Sequence, residues 1–316
     1  MGVMIEGVFH VDDPGPDTQA GGQFQRAKAT IRNWITSDGA PGPTGEGGFS
    51  PEAGRYHLYA AWNCPWAHRV LLAIALKGLG DQISVAYALP NRTDQGWVYE
   101  EDPLFGVAAL HEAYARDAAL YTGRLTVPLL WDREQNRAVS NESADLVRMI
   151  AQAFDGGPDL APEHLVGEID AWNAEVYANI NNGVYRAGFA RTQEAYEAGF
   201  WDVFTALDKI EAHLADNRYL CGDVFTEADV RLFPTLARFD VAYHYAFKCN
   251  LRRLTEYPNI WAYAREIYQM PGVAETVRFD IYKRGYFSRS DLRNPLGIVP
   301  LGPEIDWNLP HGRGEA

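Results

Sequence analysis

Cys64 is the residue whose type and spacing best suit it to do chemistry. Tyr56–Ala61 is a short, tyrosine-rich apolar run that reads as a strand. Cys64-Pro65-Trp66 follows at once, and Val70, Leu71, Ile74 and Ala75 then recur at helical spacing before Gly78 and Gly80. The order is strand, Cys-Pro turn, helix. Pro65 suits a first helical turn, where its missing N–H would have had no intrahelical acceptor. A sulfur at that junction meets unpaired backbone N–H groups and the positive end of the helix dipole, which favour the thiolate, the reactive form. Three residues on stands Ala67 rather than a second cysteine, so no dithiol exchange is available within the turn. A monothiol mechanism needs a second thiol from outside, and glutathione is the abundant cytosolic one. The other two cysteines, Cys221 and Cys249, are read as buried and inert.

His68 shares a helix face with Cys64, but a zinc site needs three or four ligands and only His57 stands near in sequence. With no Cys-x-x-Cys or His-Glu-x-x-His spacing, His68 is expected to be packed or hydrogen-bonded, and no metal is expected. Val127-Pro128 interrupts an apolar run, where proline belongs on an edge or in a special backbone conformation. In a thioredoxin-like setting a cis bond there would turn the Val127 backbone N–H and C=O toward a peptide-like ligand. Ser143 opens a helix, where its hydroxyl and amide can hold a carboxylate or simply cap. Glu142 beside it can accept from a ligand ammonium, so the pair suits the γ-glutamyl end of glutathione.

The elements that must position these residues follow from the pattern. Ile83–Leu89 reads as a second strand, parallel to the first through a right-handed crossover. Thr126–Trp131 and Ala138-Val139 read as an antiparallel hairpin, followed by a helix with Leu146, Val147, Met149 and Ile150 on one face. The order βαβ, then ββα, is a thioredoxin-like α/β arrangement. Residues 90–125 far exceed an ordinary connection, so either a helix plus a functional excursion sits there or the strand assignment is wrong. Beyond, Ile169, Trp172, Val176 and Ile180, then Phe200, Phe204, Leu207, Ile210 and Leu214, then Ile260, Trp261, Ala264, Ile267 and Tyr268 form helical stripes. Thr226 and Asp229 read as a structural capping box. The expected domains are an extended arm over 1–50 with little core, a thioredoxin-like glutathione-binding domain over 51–160, and an all-helical substrate domain with a C-terminal tail over 161–316.

Composition narrows the partners. Lys plus Arg is 28 against 42 Asp plus Glu, a net charge of -14, which disfavours nucleic acid and anionic membrane surfaces. The apolar run Val70–Leu76 falls far short of the roughly 18 residues of a membrane span. No secretion signal or myristoylation pattern is read at the N-terminus, and three cysteines are too few for a disulfide framework, so a cytoplasmic protein is expected.

Thr44-Gly45-Glu46-Gly47-Gly48-Phe49, Gly54-Arg55-Tyr56-His57-Leu58-Tyr59, Cys64-Pro65-Trp66-Ala67-His68-Arg69, Thr126–Asp132, Ser140-Asn141-Glu142-Ser143 and Val184–Ala190, in that order, resemble the glutathionyl-hydroquinone reductases, the xi class of glutathione transferases. The resemblance runs from about residue 20 to residue 303. It implies that Cys64 attacks the sulfur of a glutathionyl-hydroquinone, the hydroquinone leaves, and a second glutathione resolves the mixed disulfide. It further implies that glutathione is held by residues matching Trp97, Val127, Glu142 and Ser143, with Arg124 as candidate for the glycyl carboxylate. Tyr185, Tyr243 and Tyr286 match tyrosines of the aromatic-substrate site, and a homodimer is implied. Two departures stand out: Gly285-Tyr286-Phe287 replaces the family's His-Tyr-Tyr, and Ala61-Trp62-Asn63 precedes the cysteine where small or aliphatic residues are commoner, which bears on substrate range. The competing readings are an omega-type thioltransferase or dehydroascorbate reductase with the same Cys-Pro start, and a non-catalytic carrier of glutathione and aromatic ligands.

Overall fold

The computed structural model describes residues 2–11, 17–18 and 21–314; the turn cluster at 12–16 lies outside the described residues. The chain divides into two compact units, one comprising Met1–Gly15 and Ala27–Pro158, the other Pro16–Arg26 and Asp159–Ala316.

In the first unit β1 (Val3–Ile5) and β2 (Val8–His10) form an antiparallel hairpin. Its turn is made by Glu6 and Gly7, both at positive φ. β3 (Asp17–Thr18) and β4 (Phe24–Gln25) pair in the second unit. The main sheet of the first unit begins with β5 (Tyr56–Ala61), buried at every residue, which leads through Cys64 into α1 (Pro65–Leu76). β6 (Ile83–Ala88) returns parallel to β5. Residues 90–125 then carry α2 (Leu110–Asp117) and β7 (Gly123–Arg124), the latter antiparallel to β1. β8 (Leu129–Asp132) and β9 (Arg137–Ser140) form a hairpin and lead into α3 (Ser143–Ala153), which packs against α1. The sheet order is β6-β5-β8-β9, with β8 antiparallel to β5. This is the thioredoxin-like α/β arrangement read from the sequence.

Two expectations change in detail. The third strand starts at Leu129 rather than Thr126, because Pro128 has no N–H to give to a ladder. Residues 1–50, expected as an arm with little core, are mostly extended yet bury Met4, Trp34, Ile35 and Phe49, and Asn33 N–H donates to the Val139 carbonyl at 2.9 Å. The β8–β9 turn is tied by Asp132, which accepts from the amides of Glu134 and Gln135 and holds the buried Arg55 guanidinium at 2.6 Å.

The second unit is helical: α4 (Val166–Glu175), α5 (Gly183–Gly188), α6 (Gln193–Asp216), α7 (Glu227–Arg238), α8 (His244–Ala246), α9 (Pro258–Gln269) and α10 (Phe279–Tyr286). π-helical turns occupy Val176–Asn181 and Phe239–Tyr243. Ile169, Val176 and Ile180, then Phe204, Leu207, Ile210 and Leu214, then Ile260, Ala264 and Ile267 are buried as the stripes require, while Trp172, Phe200, Trp261 and Tyr268 at their edges are half-buried. At Gly199 a Cβ would come within 2.7 Å of the Ala187 nitrogen, so glycine is what lets α5 and α6 approach so closely. Thr226 and Asp229 form the expected capping box; Asp229, fully buried, accepts from the Thr226 amide at 2.8 Å and the Tyr263 hydroxyl at 2.7 Å. The C-terminal segment is pinned by Trp307, buried against Trp261, Tyr268 and Phe279, and by Arg313 at 2.6 Å from Glu266.

Candidate active site

Cys64 is the residue before the first turn of α1, in extended conformation (φ -82°, ψ 116°). Its carbonyl accepts from the His68 amide at 3.0 Å, closing the first turn, while its side chain makes no capping bond to that turn. The thiol instead donates to the Val127 carbonyl at 3.4 Å. The Val127-Pro128 peptide is cis. The segment before β8 is fixed from behind by the buried Tyr114, whose hydroxyl donates to the Thr126 carbonyl at 2.9 Å and accepts from the Asn141 side chain at 3.1 Å. Cys64 is half-buried and a free thiol. Cys221 and Cys249 are buried, and burial pushes their thiols up to about 11 and about 12.

The start of α3 is joined to the same helix. Ser143 is its first residue, and its hydroxyl accepts from Arg69 of α1 at 3.3 Å. Arg69 is itself buried, its guanidinium 4.5 Å from the Trp66 ring centre. Glu142 caps α3 by accepting from the Ala144 amide at 3.1 Å, so one of its oxygens is already engaged. Arg32 holds Asp145 in the first turn of α3 by two contacts of 2.7 Å.

Trp97 and Arg124 hang on the long insertion between β6 and β8. Trp97 is buried, its indole N–H has no hydrogen-bond partner among the described residues, and the Arg92 guanidinium lies 3.9 Å from its ring centre. A small pocket beside it is lined by Phe9, Arg92, Gln95, His111 and Leu125, with Phe9 stacked on His111 at 4.4 Å. Backbone bonds from Leu89 to Val98 and from Leu110 to Trp97 lace the excursion into a narrow ribbon. Its bend is held by Asp102, which sequence reasoning missed: the carboxylate accepts from the amides of Leu104, Phe105 and Val107 within 3.0 Å and from the Tyr59 hydroxyl at 3.3 Å. Arg124 sits half-buried on β7, paired with Val3.

His68 is buried. His57 is buried as well, its Nδ1 2.7 Å from the Ser84 hydroxyl, and burial lowers its pKa to about 4, so it is neutral at pH 7. Among the described residues no group of three potential metal ligands comes together.

In the second unit the structure gathers the three singled-out tyrosines. The Tyr286 hydroxyl lies 2.9 Å from those of both Tyr185 and Tyr243. Phe247 touches all three rings, with centroids 5.3 to 5.5 Å apart. Burial pushes the Tyr243 and Tyr286 phenols well above the usual tyrosine range, so they remain hydrogen-bond donors. Phe287 is buried, with its ring centre 5.5 Å from that of Tyr245.

This architecture is found in known proteins. Residues 63–153 match the family model "Glutathione S-transferase, N-terminal domain", and residues 193–266 match "Glutathione S-transferase, C-terminal domain". Glutathionyl-hydroquinone reductase YqjG of Escherichia coli is 46% identical, with 99% of this chain and 98% of that protein covered. Glutathionyl-hydroquinone reductase PcpF of Sphingobium chlorophenolicum is 43% identical, with 96% of each covered. A glutathione transferase omega-like 2 of Schizosaccharomyces pombe is 39% identical, covering 89% of this chain and 94% of its own. Among solved structures, glutathione-bound YqjG superposes with a TM-score of 0.90 over 99% of both chains at 43% identity. A xi-class transferase from Natrialba magadii does so with 0.88 at 40% identity, over 99% of this chain and 96% of its own. Near-complete coverage at these identities, on a thioredoxin-like sheet with a cysteine before its first helix, places the chain in the glutathionyl-hydroquinone reductases, the xi class of the glutathione transferases.

Proposed function

We propose that the protein is an enzyme that reduces S-glutathionyl-hydroquinones to hydroquinones at the expense of glutathione. The observation that carries this is the free, half-buried Cys64 at the start of α1, in a chain whose full-length relatives bear that activity in their names. The Cys64 thiolate attacks the glutathionyl sulfur; an S–S bond forms as the ring C–S bond breaks, and the ring carbon takes a proton as hydroquinone leaves. A second glutathione thiolate then attacks the glutathionyl sulfur of the mixed disulfide, forming oxidised glutathione and restoring the Cys64 thiolate. No external oxidant or metal is needed.

Roles for the other residues are part of this proposal. Ser143 and Glu142 take the γ-glutamyl end of glutathione, the Val127 backbone pairs with its peptide, Trp97 supplies its unpartnered indole N–H, and Arg124 takes the glycyl carboxylate. Tyr185, Tyr243 and Tyr286 take the aromatic half, a reading supported by their joined hydroxyls. A cytoplasmic homodimer without metal completes it. Among the described residues no helix is long and apolar enough to cross a membrane.

The omega-like relative keeps a second reading open to test, a general thioltransferase or dehydroascorbate reductase. Turnover of a glutathionyl-hydroquinone is set against that of a simple glutathione mixed disulfide and of dehydroascorbate. Preference for the hydroquinone conjugate is expected; equal or greater turnover of the other two would transfer the assignment to the omega type.

A further inference from the structure

The three tyrosine hydroxyls, joined by hydrogen bonds, form a polar cluster suited to a phenol, and the second unit sets a cation beside them. After α10 the chain makes a tight turn: the Arg293 and Asn294 amides donate to the Ser290 carbonyl at 3.2 and 2.9 Å. The Asn294 side chain ties the turn to the carbonyls of Phe287 and Ile298. The Arg293 guanidinium carbon thereby stands 4.3 Å from the centre of the Phe189 ring and 6.0 Å from that of Phe247. Phe189 lies parallel to Tyr185 at 5.9 Å, and Phe247 is the ring that touches all three tyrosines. Arg293 thus belongs to the same aromatic cluster as the hydroxyls.

Arg293 is exposed and forms no ion pair among the described residues, in contrast to Arg55, Arg186, Arg231 and Arg313, each held by a carboxylate within 3.0 Å. Stacking on a ring uses one face of a guanidinium and leaves its edge of N–H donors for an oxyanion, the geometry in which Arg recognises carboxylates. A chain of net charge -14 repels anions at long range, so an anionic substrate needs such a local cation.

We propose that Arg293 is a specificity-determining residue that favours aromatic substrates bearing a ring carboxylate over uncharged ones. This rests on the reading of the tyrosine cluster as the place of the aromatic half.

The test compares 2,5-dihydroxybenzoate with uncharged hydroquinone, as free ligands by calorimetry and as glutathionyl conjugates by turnover, in wild type, Arg293→Gln and Arg293→Lys. Arg293→Gln should weaken binding and kcat/KM for the carboxylated compounds by about tenfold, the worth of a charge-assisted contact, and change the uncharged ones by less than about twofold, with Arg293→Lys between. Equal losses on both compounds would reduce Arg293 to ring packing, and no loss on either would remove it from recognition; both overturn the proposal. Failure of the reductase reading looks different: wild type would turn over neither conjugate, while the difference in ligand binding would still decide the role of Arg293.

Discussion

The Cys64 thiol and the Val127 carbonyl oxygen lie 3.4 Å apart, which brings the end of β5 and the segment before β8 to one point. The other two sulfurs differ in burial: Cys221 and Cys249 are buried in the helical unit and their thiols are pushed up to about 11 and about 12. Alkylation of the native protein at pH 8, followed by mass analysis, should therefore modify Cys64 alone, with the other two reacting only after denaturation. Native labelling of Cys221 or Cys249 at a comparable rate would show that their burial does not protect them.

Trp97 carries a buried indole N–H without a partner among the described residues, a cost of about 1–3 kcal/mol to the folded chain that a bound acceptor would relieve. Replacing it with Phe removes the donor along with that cost, and the loss of ring volume works in the opposite direction. Trp97→Phe is expected to weaken glutathione binding about tenfold while moving Tm by less than about 4 °C. Titration and thermal melts on the same samples decide it: unchanged affinity with a large drop in Tm would make Trp97 a packing residue only.

Two buried groups act on stability in opposite directions as pH changes. His57 is held at about 4 by burial, so between about pH 6.5 and 4 the unfolded chain takes up a proton that the native one refuses, and stability falls on acidification. Asp229 is raised to about 6 by burial; its contribution is present below about pH 4 and is lost as pH rises through 6. Urea denaturation across pH 4 to 7 should show a flatter acid loss for His57→Gln, by about 2–3 kcal/mol over the window, and a steeper one for Asp229→Asn. A His57→Gln profile parallel to wild type would contradict the first; an Asp229→Asn profile parallel to wild type would contradict the second.

What could be read from the sequence was what local pattern encodes. The short, tyrosine-rich apolar run Tyr56–Ala61, the proline after Cys64 and the 3.6-residue spacing of Val70 to Ala75 specify a strand, a junction and a helix within twenty-odd residues, and the fold class follows from their order. Arg69 and Asp102 were not legible. An arginine on an otherwise apolar helix face, and an aspartate in a long loop, look like solvated residues until tertiary structure shows one bonded to Ser143 and the other gathering three amides. The tyrosines make the same point. Seventeen are present, and nothing local distinguishes Tyr185, Tyr243 and Tyr286 until residues far apart in sequence bring three hydroxyls together. The buried share of residues 1–50 was hidden because Gly and Pro punctuation masks the isolated Trp34, Ile35 and Phe49 that pack.

The central claim is that Cys64 carries the glutathionyl group between the two half-reactions. Wild-type protein mixed with one equivalent of a glutathionyl-hydroquinone and no free glutathione should release hydroquinone once and gain the mass of one glutathionyl group, mapped to Cys64; added glutathione should remove that mass as oxidised glutathione. Cys64→Ser should do neither. Release of hydroquinone at the wild-type rate by Cys64→Ser, or a wild-type protein that turns over without ever carrying the adduct, would contradict the account.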